Sequence, residues 1–346
     1  MPESPKRILI VKLTAIGDVL MATPVAKALR AAFPDSYIAW VVERKAADVV
    51  QGNPYLDDVI VWQRSVDAGP VGKLAHFVRN ASALARDLRS RNFDVCVDLQ
   101  GLIRSAGVCV ISGAKRRIGF ADGAEASTLF YHVKHGPIDP ELNAQQRNLD
   151  ILKALGVEST DTAMHMPISD ADRQFAEALL GESGLIGERV MAFCPATTWP
   201  NKHWTVEGWA RVADLLWESH GVRSAILGSK ADLTLANAIA GMARAKPTVF
   251  AGRTTLKQAG AVMEKCVAVI GVDTGLLHMA VALDRPAVGL FGASAWRCFL
   301  KRPNFAWVAK EFPCSPCQRH PTCENFDCMR AITPEDVESA VSPWLQ

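Results

Sequence analysis

Three short segments carry side-chain types suited to a phosphorylated, anionic substrate. The first is Lys12-Leu13-Thr14-Ala15-Ile16-Gly17-Asp18, between a β-rich run and a helical one. Small residues at a helix start leave backbone N–H groups and the positive end of the helix dipole open to an anion. No G-x-G-x-x-G occurs there, so the dinucleotide fingerprint is absent. Asp18 falls in the first helical turn. A carboxylate there caps the helix or, at a cleft edge, serves as a general base. The second segment, residues 195–204 (PATTWPNKHW), places Thr197, Thr198 and Lys202 between a strand and a helix. Hydroxyls donate to phosphate oxygens and a lysine adds a point charge for a diphosphate; the plainer reading is a polar loop. Trp199, Trp204 and Trp209 read as packing residues. The third, residues 271–278 (GVDTGLLH), ends a strand in Asp273-Thr274-Gly275 and opens a helix. Thr274 and the helix start suit a phosphate. Asp273 reads as a structural cap, and His278 as a packed histidine or a partner for a diphosphate or sugar.

A fourth cluster has metal-like chemistry. Cys314, Cys317, Cys323 and Cys328 follow a C-x2-C-x5-C-x4-C pattern among Pro313, Pro316 and Pro321. The count matches a four-cysteine metal site and the first pair has zinc-ribbon spacing, but the second pair does not repeat it. A structural zinc or iron, reduced thiols in a packed loop, and disulfides all remain open. Of the nine cysteines, Cys96, Cys109, Cys194 and Cys266 sit in apolar contexts and read as buried, while Cys298 stands alone.

The elements that must position these groups alternate between strand-like and helix-like, which predicts an α/β fold with parallel sheets. Strands are expected at 7–13, 37–42, 59–62, 93–99 and 116–120, with helices at 19–33 and 73–91. A second series begins after Met166-Pro167. Its strands are expected at 190–194, 223–227, 248–250, 267–272 and 287–291, and its helices at 205–219, 232–243, 256–265 and 276–283. Thr333-Pro334 starts a last helix. This gives two doubly wound domains, 1–166 and 167–333, and a C-terminal helix, 334–346. Ligands of such sheets bind beyond the carboxyl ends of the strands, where every motif above falls, and two facing units would hold the ligand in the cleft between them.

Composition narrows the class. The chain has 346 residues, 49% hydrophobic and 21% charged, close to an ordinary soluble protein. A net charge of +2 does not indicate a strongly basic nucleic-acid binder. No apolar run is long enough for a transmembrane helix. The run at 8–11 is too short for a signal-peptide core, so the expected location is cytoplasmic. One local bias survives: residues 73–117 hold nine Lys/Arg and three Asp. Residues 118–165 hold three basic and seven acidic residues.

The three motifs, with Leu227-Gly228-Ser229-Lys230-Ala231-Asp232 between the last two, resemble glycosyltransferase family 9 from Ile8 to about Val337. The likeness is to its ADP-heptose:lipopolysaccharide heptosyltransferases. Residues 93–105 (FDVCVDLQGLIRS) and 126–130 look most like the branch that adds the first heptose, heptosyltransferase I. The resemblance implies a two-domain GT-B fold and an inverting, metal-independent transfer from ADP-L-glycero-D-manno-heptose to Kdo or the first heptose of the lipopolysaccharide core. By position, Asp18 matches the family's base, and Thr197, Thr198 and Lys202 its diphosphate loop. Asp273, Thr274, Gly275 and His278 match its nucleotide-sugar motif. Asp232 falls where the family usually has Glu for the ribose hydroxyls, one methylene longer. The anionic acceptor points to Lys12, Arg44, Arg104, Arg116 and Arg117, and basic residues of this kind suit peripheral attachment to the inner face of the inner membrane. Ser294-Ala295-Trp296-Arg297 replaces a more polar, Pro-containing turn of relatives. Rival readings are a family 9 enzyme with another donor or a protein acceptor, a GT-B nucleotide-sugar epimerase, and a nucleotide-binding module without catalysis.

Overall fold

The computed structural model describes residues 4–63, 70–137, 139, 141–295, 302–318 and 320–346, with only the backbone described for 70–77. Trp296, Arg297 and Cys298 therefore lie outside the described residues, as does the side chain of Lys73. The chain divides into two compact units, Met1–Pro167 and Ile168–Gln346.

In the first unit six strands form one sheet: β1 (Arg7–Val11), β2 (Tyr37–Glu43), β3 (Asp58–Trp62), β4 (Val95–Asp98), β5 (Arg116–Phe120) and β6 (Val133–His135). Their order is β3-β2-β1-β4-β5-β6, all parallel. The second unit repeats the plan with β7 (Val190–Cys194), β8 (Arg223–Ile226), β9 (Thr248–Val249), β10 (Ala268–Val272), β11 (Ala287–Phe291) and β12 (Phe305–Ala309). Its order is β12-β11-β10-β7-β8-β9, again all parallel. In the first unit the order is the doubly wound 3-2-1-4-5-6. In the second the same kind of reversal falls between β7 and β10.

Continuous apolar runs explain the parallel sheets, because helices cover both faces. Residues Ile8 to Val11 and Met191 to Cys194 are fully buried. Around the first sheet pack Leu13, Leu84, Leu88, Phe93 and Val108; around the second pack Trp204, Trp209, Leu216, Ile239 and Ile332. Trp204 and Trp209 are thus core residues, their rings edge-on with centroids 5.4 Å apart.

Three differences from the sequence reading matter. The helix expected over 19–33 is two helices, Ile16–Ala22 and Pro24–Ala32, because Pro24 lacks an N–H and opens a new first turn. Helices Ile103–Ile111, Ala144–Asp150 and Asp170–Glu182 and strands β6 and β12 were not expected. The edge strand β6 (VKH) is only three residues long and has no fully buried face to mark it. The terminal helix Pro334–Val341 belongs to the second unit, where Val337 and Val341 are fully buried in its core.

Candidate active site

A doubly wound sheet opens a crevice where the strand order reverses. In the first unit that switch point lies between β1 and β4. The loop 12–18 leaves β1 and the run Leu99-Gln100-Gly101 leaves β4, and the two are stitched together. Gln100 Oε1 accepts from the backbone N–H groups of Leu13 (2.8 Å) and Thr14 (3.2 Å), and its Nε2 donates to Thr14 Oγ1 (3.2 Å). Lys12 Nζ donates to the Leu99 carbonyl at 2.8 Å. Burial lowers the Lys12 pKa, opposed by the carboxylates of Asp18 and Asp98.

Asp18 is exposed, and its Oδ2 accepts from the Ala15 N–H at 3.2 Å, so it does cap the Ile16–Ala22 helix. That bond orients the carboxylate without burying it. Beneath the loop, Asp98 is fully buried. It accepts from Gln100 N (2.8 Å), Gly101 N (3.2 Å) and the Tyr131 hydroxyl (2.8 Å). Burial outweighs these bonds and raises its pKa.

Of the basic candidates, Arg104 reaches this end of the sheet. Its guanidinium donates to Thr14 Oγ1 at 2.8 Å and lies 3.8 Å from Glu43. Arg44 follows β2 at the same end. The structure does not bring Arg116 and Arg117 there. They open β5, level with Val95 and Cys96 at the amino edge of the sheet. Their guanidinium groups donate to the carbonyls of Ala154 and Phe130, each at 2.8 Å. Sequence reasoning overlooked Arg147, whose charge acts on Lys12 and whose guanidinium stacks 4.6 Å from the Phe120 ring centroid. It also overlooked Gln100 and Asp98 as supports. Their signal was a polar pair at a strand's carboxyl end.

In the second unit the switch point lies between β7 and β10. Thr197 leaves β7, and its hydroxyl donates to the Asp273 carbonyl at 3.2 Å, tying this loop to the end of β10. Thr198 follows it in the same loop. Lys202, in the short turn Pro200–Lys202, pairs with Asp273 Oδ2 at 2.5 Å and lies 3.8 Å above the Trp199 ring centroid. His278 Nε2 is 3.4 Å from Asp273 Oδ1, and the Ser294 hydroxyl donates to Oδ2 at 2.5 Å. Burial alone would raise the Asp273 pKa, but His278 and then Lys202 outweigh it and hold the carboxyl well below the usual range.

Asp273 is thus the hub of this end of the sheet, beyond a cap. Thr274 is the N-cap residue of the Gly275–Ala282 helix without a side-chain cap bond, so its hydroxyl is not spent on the helix start. Gly271 lets β10 approach β7, since a Cβ there would sit 3.2 Å from Cys194 Cβ. Asp232 lies beyond β8, where its Oδ2 accepts from both the N–H and the hydroxyl of Ser229 at 2.7 Å.

Cys314, Cys317 and Cys323 are half-buried and Cys328 is buried, all four as free thiols. Burial raises the Cys328 pKa, and the other three cysteines act in the same direction. Among the described residues, no three His, Cys, Asp or Glu side chains are grouped as metal ligands.

The repeated switch-point architecture, with a cation, hydroxyls and a helix start at one and a carboxylate at the other, agrees with comparison to known proteins. Residues 81–325 match the model of glycosyltransferase family 9 (heptosyltransferase). The chain belongs to glycosyltransferase family 9. Family 9 chains resembling it include lipopolysaccharide heptosyltransferase 1 of Pseudomonas aeruginosa, 27% identical over 98% of both chains. The crystal structure of a family 9 member from Veillonella parvula superposes with a TM-score of 0.82 at 24% identity, over 100% of this chain and 98% of the other. The E. coli heptosyltransferase WaaC with ADP-2-deoxy-2-fluoro heptose superposes with a TM-score of 0.71 at 25% identity, over 97% and 99%. The protein is a glycosyltransferase with the two-sheet architecture of its family.

Proposed function

We propose that this family 9 enzyme transfers heptose from ADP-L-glycero-D-manno-heptose to the lipopolysaccharide inner core, onto Kdo or the first heptose. The observation that carries the reading is the gathering of Lys202, Thr197 and the start of the Gly275–Ala282 helix around the β7/β10 switch point. A relative solved with an ADP-heptose analogue supports the donor.

In this mechanism Asp18 takes the proton of an acceptor hydroxyl as its oxygen attacks the anomeric carbon. The bond from that carbon to the diphosphate oxygen breaks, and ADP leaves with the electron pair, so a single displacement inverts the centre. Negative charge grows on the diphosphate. Lys202, Thr197, Thr198, Thr274 and the N–H groups at Gly275 stabilise it. His278 acts through Asp273 and the sugar. The Oδ1 of Asp232 serves the ribose hydroxyls, because Oδ2 already holds Ser229. Lys12, Arg104 and Arg44 face the anionic acceptor. Arg116 and Arg117 have no part in it. An anionic lipid acceptor and a water-soluble donor suit a peripheral protein at the cytoplasmic face of the inner membrane. Among the described residues no helix is long and apolar enough to cross a membrane.

Release of ADP from ADP-heptose in the presence of Kdo2-lipid A tests the reading. Asp18→Asn is expected to lower kcat by about 10²–10⁴ while ADP affinity stays unchanged. No ADP release with any heptose acceptor, alongside turnover with another nucleotide sugar, overturns the assignment.

A further inference from the structure

The cysteine-bearing segment 314–318 has no part in the chemistry above, yet its contacts close a circuit around the donor end of the second unit. Asn201 is 3% exposed and immediately precedes Lys202. Its Nδ2 donates to the Gln318 carbonyl at 2.7 Å and lies 3.5 Å from Cys317 Sγ. The Gln318 N–H donates to the Ala293 carbonyl at 2.8 Å, and the Ser315 hydroxyl donates to the Gly292 carbonyl. One residue further, Ser294 donates to Asp273 Oδ2, the same oxygen that pairs with Lys202. The ring therefore runs Asp273, Lys202, Asn201, Gln318, Ala293, Ser294 and back to Asp273.

Two further features show that this circuit is held under constraint. Gln318 has φ +55°, a left-handed conformation that a non-glycine residue keeps only when its surroundings over-determine it. A Cβ at Gly292 would sit 2.7 Å from Cys328 Sγ and 2.8 Å from Met329 Sδ, so the 292–294 turn is packed against the 328–329 segment as well.

We propose that Asn201 is a positioning residue for the nucleotide-sugar site, tying the cysteine loop to the turn that carries Lys202 and, through Gln318 and Ala293, to Ser294. The proposal rests on the donor-site reading given above. A lysine has a long, flexible stem, so the place of its ammonium depends on how firmly the backbone beneath it is held. The turn Pro200–Lys202 is three residues long and is closed by the Lys202 N–H on the Trp199 carbonyl (3.0 Å) and the His203 N–H on the Pro200 carbonyl (3.3 Å); these bonds shape the turn, while its place in the unit depends on support from outside it. The Asn201 amide supplies that support because it donates to a carbonyl. An Asp carboxylate there would face the Gln318 carbonyl oxygen and repel it.

The test compares wild type, Lys202→Ala, Asn201→Ala, Asn201→Asp, Ser294→Ala and the Asn201→Ala/Ser294→Ala pair. ADP affinity is read by calorimetry, donor and acceptor KM and kcat by ADP release, and folding by circular dichroism. Asn201→Ala is expected to weaken ADP binding and raise donor KM about tenfold, the effect of one lost hydrogen bond, with acceptor KM unchanged. Asn201→Asp is expected to be worse. The pair is expected to fall short of the product of the single effects, because either cut opens the ring. A folded Asn201→Ala enzyme with wild-type ADP affinity and donor KM overturns the proposal, as does a strictly multiplicative pair. Should Asn201→Ala not fold, Ser294→Ala decides it: wild-type ADP affinity there overturns the ring. ADP bound by wild type and lost in Lys202→Ala leaves the donor-site reading standing whatever Asn201 does; no ADP binding by wild type overturns both.

Discussion

Two carboxylates, one in each unit, are pushed in opposite directions. Asp98 accepts from hydroxyl and N–H groups, and burial raises its pKa. Asp273 is only partly buried, its side chain 15% exposed, and there His278 and Lys202 bring the pKa down. The sign of its effect on stability follows. With a folded pKa below the ordinary 3.8, the unfolded chain binds the proton more readily at acidic pH. The stabilisation from ionised Asp273 is therefore complete above 3.8 and is lost as pH falls toward the folded value. Asp273→Asn is expected to cost about 3 kcal/mol near neutral pH, because it leaves Lys202 partly buried without its counter-charge. Urea unfolding across pH should show the gap to wild type shrinking below 3.8. A gap that stays constant into acid would contradict the pairing. At this scale the charged residues at the strand ends stood out in the sequence, but Asp273 read there as a cap, and only its contacts with Lys202, His278 and Ser294 make it a hub. Gln100 did not stand out, since an uncharged amide shows its worth only when two backbone N–H groups from another segment point at it.

The elements that carry the sites depend on a few close approaches. Gly119 in β5 is the clearest, because a Cβ there would lie 2.3 Å from a Tyr131 ring carbon. Tyr131 in turn donates to Asp98 beneath the Asp18 loop. Gly119→Ala is expected to destabilise the protein by about 1–3 kcal/mol through overpacking. Gly107, inside the Ile103–Ile111 helix, has nothing within 4 Å of a built Cβ. Gly107→Ala is expected to stabilise by about 0.5–1 kcal/mol, since glycine loses more backbone freedom in a helix than alanine does. Thermal melts of the two variants should move in opposite directions; a shared direction would refute the packing argument. The central strands were readable as unbroken apolar runs. Thr23-Pro24 carried the signal of a helix break, but helical apolar spacing continues across it and masks the restart. The edge strand β6 lacks such a run, and pairing with β5 alone defines it.

Over the whole molecule, charge is distributed differently from its order in the chain. Among the described residues, basic side chains of the stretch 73–117 are divided between different partners. Arg91 pairs with Asp58, Lys115 with Asp94, and Arg116 and Arg117 bond to carbonyls at the amino edge of the sheet. Arg104, by contrast, reaches the Asp18 loop through Thr14. Transfer is expected to persist in excess EDTA, since an ammonium, hydroxyls and a helix start supply the charge for the diphosphate. Loss of ADP release that Mg²⁺ restores would refute this. The sequence by itself determined the α/β class, two units and the polar loops that follow the strands. Strand periodicity, helix caps and loop composition are local properties, and a linear chain displays them. Only the tertiary structure decided which loops share a switch point, that Asp273 is a hub, that Arg116 and Arg117 lie at the other edge, and that Asn201 joins the cysteine loop to Lys202. Those outcomes depend on strand order and on hydrogen bonds between residues 71 and 117 positions apart, which no local pattern encodes.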